Sequence, residues 1–114
     1  MSLDRVLRIL EGFGVSKADA EVYVYLAKRG PTRSVDLAVD FGRTQPQIYP
    51  ILRRLNKKGV VTHSKSRQVL FSALAFEELL ERYVKLNMEH AKIIEETKEQ
   101  LLASLKNRTD RHSI

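Results

Sequence analysis

The sequence predicts a mainly α-helical chain with one small β-hairpin, and three observations carry that prediction. Segments before residue 60 repeat apolar residues at helical spacing and are punctuated by glycines. One short stretch, 60–71, is instead rich in β-branched residues. Beyond it, from Phe76 to Asn107, there is neither proline nor glycine.

Leu3, Val6, Leu7 and Leu10 form the apolar face of a first helix that Gly12 and Gly14 end. Ser16 is a natural N-cap for a second, about Lys17 to Arg29, with Asp19 as a short-armed capping-box partner. Lys28 and Arg29 suit the negative end of its dipole before Gly30-Pro31 stops it. A third helix fits Ser34 to Phe41, and Gly42 supplies the turn after it. Thr44 then caps a fourth helix, about Gln45 to Lys58, ended by Gly59. Ile48, Ile51, Leu52 and Leu55 share its inner side. Pro46, Pro50, Arg53 and Lys57 lie opposite, flanked by Gln47 and Arg54. Pro50 lacks the N–H that would bond the Pro46 carbonyl, at a cost of about 3 kcal/mol, so either the first turn bends or a distorted segment precedes Tyr49.

Val60 to Ser64 and Arg67 to Phe71 are the expected strands, with Lys65 and Ser66 as a tight connection between them. Two helices joined at a glycine turn, followed by a basic-tipped hairpin, make a winged helix-turn-helix. The long segment then predicts a helix of about thirty residues, roughly 45 Å, more than a small domain can cover. A second copy is the simplest partner. Leu80, Tyr83, Val84, Leu86, His90, Ile93, Ile94, Leu101 and Leu105 are its expected dimer contacts, in helix–helix packing rather than a regular coiled coil because the heptad is imperfect. The predicted organisation is 1–75 DNA-binding domain, 76–107 dimerisation helix and 108–114 disordered tail.

Charge points to the partner. The net charge is +6 over 114 residues, but Phe41 to Phe76 holds seven basic residues and no acid, while the segment from Glu77 onward is nearly neutral. An amphipathic surface helix ordinarily interleaves Glu with Lys; the fourth helix has no acid. That segregation fits double-stranded DNA. The absence of cysteine excludes disulfides, zinc–thiolate sites and thiol nucleophiles. No apolar run has the length of a signal peptide core or a membrane span, so a cytoplasmic protein is expected. His63, His90 and His112 are scattered without ligand spacing, so no metal is expected. With no phosphate loop, carboxylate pair or nucleophile triad, neither enzyme activity nor a cofactor is expected.

Phe13-Gly-Val-Ser-Lys-Ala-Asp-Ala-Glu-Val-Tyr23 followed by Gly30-Pro-Thr32 resembles the opening of the N-terminal domain of TrmB-type archaeal regulators. Ile48-Tyr-Pro-Ile-Leu-Arg-Arg-Leu-Asn-Lys-Lys-Gly-Val60 resembles that family's recognition-helix ending, and Phe71 to Leu80 its exit from the wing. The similarity covers residues 7 to 81, with MarR-like and ArsR-like domains as neighbours. It implies a cytoplasmic, usually dimeric DNA-binding regulator, with contacts on the helix beginning at Gln45 and on the wing around Lys65. Larger sugar-responsive members carry an effector domain after the winged helix. A long helix follows here, so carbohydrate sensing is not among the expectations, and nothing specifies an effector. Pro50 also departs from the family pattern.

The expected DNA contacts follow from position. Arg43, Thr44, Gln45 and Gln47 sit at the amino end of the recognition helix, where side chains reach bases and backbone N–H groups favour phosphate. Arg53, Arg54 and Lys57 face the backbone, as do Arg33 and Ser34 on the preceding helix, and Lys65 and Arg67 on the wing meet the backbone or the adjacent minor groove. Tyr23, Tyr25 and Tyr49, beside Leu and Ile at helical spacing, are expected in the core or half-buried rather than stacked on bases. Three functions fit: a sequence-specific dimeric regulator foremost, an architectural DNA binder, and a winged-helix protein–protein module.

Overall fold

The computed structural model describes residues 3–112, and the side chains of residues 3–106. Its elements run α1 (Leu3–Gly12), α2 (Lys17–Arg29), α3 (Ser34–Asp40), α4 (Gln45–Lys57), β1 (Val61–His63), β2 (Phe71–Ala73) and α5 (Phe76–His112). The chain is mainly α with one antiparallel hairpin and a long C-terminal helix, the winged helix-turn-helix order the sequence predicts.

The chain divides into two compact units, Met1–Glu81 and Arg82–Ile114. In the first, α1 to α4, the hairpin and the start of α5 enclose one core. Leu10, Leu26, Leu37, Ile48, Leu52, Leu55 and Leu79 are almost wholly buried there. Each such side chain contributes about 1.5–3 kcal/mol. The second unit is helix, and its described side chains beyond Leu86 are exposed. The division falls after the expected boundary at residue 75 because Leu79 is a core residue. The helix continues past the expected end at 107 to His112. Of the expected tail 108–114, residues 113 and 114 lie outside the described residues.

Local chemistry sets most element ends. Ser16 Oγ accepts from the Asp19 N–H at 3.1 Å and starts α2. Gly42 turns the chain between α3 and α4 at φ +62°, a left-handed conformation that costs a side-chain-bearing residue roughly 1–2 kcal/mol. Asp19 differs from its expected role. Its carboxylate does not reach back to the cap but is buried and paired with Arg54.

The hairpin departs from its expected register. A two-residue connection at Lys65-Ser66 would place Phe71 opposite Val60. Instead Phe71 pairs with His63, Ser72 with Thr62 and Ala73 with Val61. Two things fix this. Phe71 exchanges both backbone hydrogen bonds with Thr32, at 2.8 and 3.0 Å, so a residue before α3 anchors it in the core. Ser64 then closes a longer loop: its N–H bonds the Leu70 carbonyl at 2.9 Å, and its Oγ accepts from the Leu70 N–H at 3.0 Å. The wing is therefore a loop over 65–69, with β2 beginning at Phe71.

Candidate nucleic-acid interface

Helix α4 buries Ile48, Ile51, Leu52 and Leu55 and exposes the rest of its length apart from half-buried Asn56. It is continuous through Pro50, so no irregular segment precedes Tyr49. The proline penalty of about 3 kcal/mol is outweighed by four buried aliphatic side chains at about 1.5–3 kcal/mol each. Pro46, whose carbonyl Pro50 leaves unbonded, lies on the exposed side, where water can satisfy it.

The amino end of α4 is tied down locally. Gln47 Oε1 accepts from the Thr44 N–H at 3.0 Å, the return half of a capping box. Gln45 Nε2 donates to Ser34 Oγ at 3.3 Å, and Ser34 is only 8% exposed. That bond joins the two helices of the helix-turn-helix. The Thr44-Gln-Pro-Gln47 spacing is itself a capping-box signature, a signal that the expectation of base contact by Gln47 passed over.

The basic residues fall into two groups. Arg33 pairs with Asp36 through two hydrogen bonds, at 2.9 and 3.2 Å. That bonding raises the Arg33 guanidinium and holds the Asp36 carboxyl below its ordinary value. Arg54 pairs in the same bidentate way with Asp19, at 2.7 and 2.9 Å, and this bonding raises its guanidinium. Arg54 therefore braces α4 against α2. By contrast Arg43, Arg53, Lys57, Lys65 and Arg67 are exposed, and none has an ion-pair partner among the described residues. These five lie on α4, on the turn before it and on the wing loop.

Three further residues join this surface. Tyr49 is not in the core but 43% exposed, its ring edge-on to Phe71. Turned by roughly 100° per residue, it stands beside Arg53 and Pro46 and outside the Ile48–Leu55 arc, which the sequence contained. Asn56 Nδ2 donates to the Val61 carbonyl at 3.0 Å and contacts His63 Nδ1 at 3.2 Å, so it ties α4 to the wing. Tyr23 and Tyr25 differ from Tyr49. Tyr23 is buried and donates to the Leu74 carbonyl at 2.8 Å, whereas Tyr25 packs edge-on against Phe41 and bonds Asp40.

The expected dimer contacts lie along α5. Leu80, Val84, His90, Ile93, Ile94, Leu101 and Leu105 are exposed, and Tyr83 and Leu86 are half-buried. Among the described residues no group of three or more His, Asp or Glu is placed to hold a metal ion. No helix there is long and apolar enough to cross a membrane.

A helix-turn-helix whose second helix runs straight into a two-stranded wing defines the winged-helix class. Within that class, the family described as the sugar-specific transcriptional regulator TrmB matches residues 10–77, and the chain belongs to it. The HTH-type sugar-sensing transcriptional regulator TrmBL1 of Pyrococcus furiosus is 29% identical over 79 residues, which are 69% of this chain and 23% of that protein. The archaeal chromatin protein TrmBL2 superposes with a TM-score of 0.75 at 26% identity, over 91% of this chain and 40% of its own. The chain thus spans less than half the length of either relative. The Staphylococcus aureus MepR–DNA complex shares the fold at 20% identity, with a TM-score of 0.54 and 86% of each chain covered.

Proposed function

We propose that this chain is a DNA-binding transcriptional regulator that acts in the cytoplasm as a homodimer. Helix α4 enters the major groove, and the wing loop lies on the backbone or the adjacent minor groove. The observation that carries the reading is the acid-free surface of α4 and the wing, where Arg43, Arg53, Lys57, Lys65 and Arg67 are exposed and have no ion-pair partner among the described residues. Each phosphate so neutralised releases condensed counterions, so affinity falls steeply with salt. Membership of a family of transcriptional regulators supports the same reading. Arg33 and Arg54 contribute less directly, since each is held by a carboxylate of its own chain.

A second reading, architectural DNA binding, is favoured by one comparison: TrmBL2, which superposes over 91% of this chain, is described as a chromatin protein. One experiment separates the two. Purified protein is incubated with sheared genomic DNA at physiological salt, and the retained fragments are sequenced. Sharp peaks sharing a palindromic motif mean a sequence-specific dimer. Uniform retention, with any competitor DNA equally effective, means an architectural binder. No retention rules out both and leaves a protein–protein module.

A further inference from the structure

The outward face of α4 carries a chemistry that the basic character of the surface hides. Pro46, Tyr49, Pro50, Arg53 and Lys57 are all exposed on it, and the three nearest its amino end are apolar. The glutamines that flank them are half committed. Bidentate reading of adenine needs both the oxygen and the nitrogen of one amide. Gln47 has its oxygen on the Thr44 N–H, and Gln45 has its nitrogen on Ser34 Oγ. Each keeps a second lone pair or N–H for DNA, but its bond to the helix start restricts where the amide can point.

Beside these restrained amides and Arg43, the surface that the first turns of α4 hold outward is the apolar one of Pro46, Tyr49 and Pro50. In the major groove one base feature answers to that: the C5-methyl group of thymine. We infer that Pro46, Tyr49 and Pro50 read thymine methyl groups in the major groove, with Arg53 and Lys57 on the flanking phosphates. The inference rests on the DNA-binding reading above. Tyr49 is suited to the role because its ring is braced edge-on by Phe71, itself pinned to Thr32, so little ordering is required on binding. Both prolines are rigid for the same purpose: Pro46 sits in the first turn, where no intrahelical N–H bond is due, and the cost of Pro50 is outweighed by the burial on the opposite side of the helix. Asn56, bonded to the Val61 carbonyl, holds the wing in fixed relation to this face.

The test changes the DNA before the protein. The pool retained from genomic DNA is amplified once with dTTP and once with dUTP, which differ only in that methyl group. Affinity is then measured by fluorescence anisotropy. Removing one contacted methyl is expected to weaken binding about fourfold, the effect of exposing one buried methylene. Tyr49→Phe should keep the preference for the thymine pool, and Tyr49→Ala should reduce it. Equal affinity of wild-type protein for the two pools overturns the inference and leaves DNA binding intact. A preference that survives unchanged in Tyr49→Ala, Pro46→Ala and Pro50→Ala alike places methyl reading elsewhere and overturns it too. If no DNA is retained at all, the DNA-binding reading fails and takes this one with it.

Discussion

Arg54 and Asp19 meet across 35 positions of sequence, and their unequal exposure makes the pair asymmetric. The Asp19 side chain is 6% exposed and that of Arg54 is 53% exposed. Removing the arginine strands a buried carboxylate, a penalty on the order of 1–3 kcal/mol. Removing the carboxylate only returns a guanidinium to water. Arg54→Met should therefore lower the melting temperature more than Asp19→Asn does; equal shifts would mean that the pair is no brace. Tyr23 makes a second prediction. Burial, and then the charge of Glu77, push its phenol from 10.0 up to about 12. The unfolded chain releases this proton near 10 and the folded one holds it until about 12. Between those values the folded state binds more protons, so stability present below pH 10 is lost as pH rises. Tyr23→Phe removes the ionisable group. Its melting temperature should fall less steeply over that window than the wild type's, and matching slopes would refute the assignment. Neither partnership was legible in the sequence. Spacing shows which residues share a helix face, but not which residue of another helix a long side chain will reach.

Elements are more legible than partnerships when their ends are decided locally. Ser16, Thr44, Gly30, Gly42 and Gly59 mark the starts and stops of helices through capping or positive φ, which depend on neighbouring residues alone. The hairpin register is different in kind. It depends on Thr32, far from the wing in sequence, exchanging hydrogen bonds with Phe71. No pattern within 60–73 contains that information. The loop so created is closed by Ser64, whose Oγ accepts from the Leu70 N–H and donates to the Gln68 carbonyl at 3.1 Å. Ser64→Ala deletes both bonds, worth about 1 kcal/mol each. Faster hydrogen exchange at the Leu70 amide is expected, with weaker DNA binding, because Lys65 and Arg67 would no longer be held in one place. Unchanged exchange would show that the strands alone hold the loop. Tyr49 illustrates the opposite failure: the helical wheel placed it outside the core arc, and its aromatic character argued wrongly for burial.

At the scale of the whole molecule, the question is why α5 extends so far beyond the core that Leu79 completes. Ile93, Ile94, Leu101 and Leu102 are 56–66% exposed and recur along the second unit. Leaving such side chains in water forgoes about 1.5–3 kcal/mol apiece, and an apolar stripe of this length marks an interaction surface. The sequence makes the stripe visible, but a single chain contains no geometry for its partner. The homodimerisation proposed above would account for both the length of the helix and the small core, since a dimer stabilises a marginal domain by mass action. The double variant Ile94→Glu with Leu101→Glu puts charge at two positions of the stripe two helical turns apart. It is expected to sediment as a monomer, against the dimer proposed for the wild type. The first unit should stay folded, because none of its buried core residues lies beyond Leu79. Affinity for DNA carrying two half-sites should drop about a hundredfold or more, the contribution of binding the second site intramolecularly, while affinity for one half-site holds. A variant that still sediments with the wild type would move the dimer interface off this stripe. A wild type that is itself monomeric would leave each recognition helix to bind alone, and the architectural reading would then gain at the expense of the palindromic one.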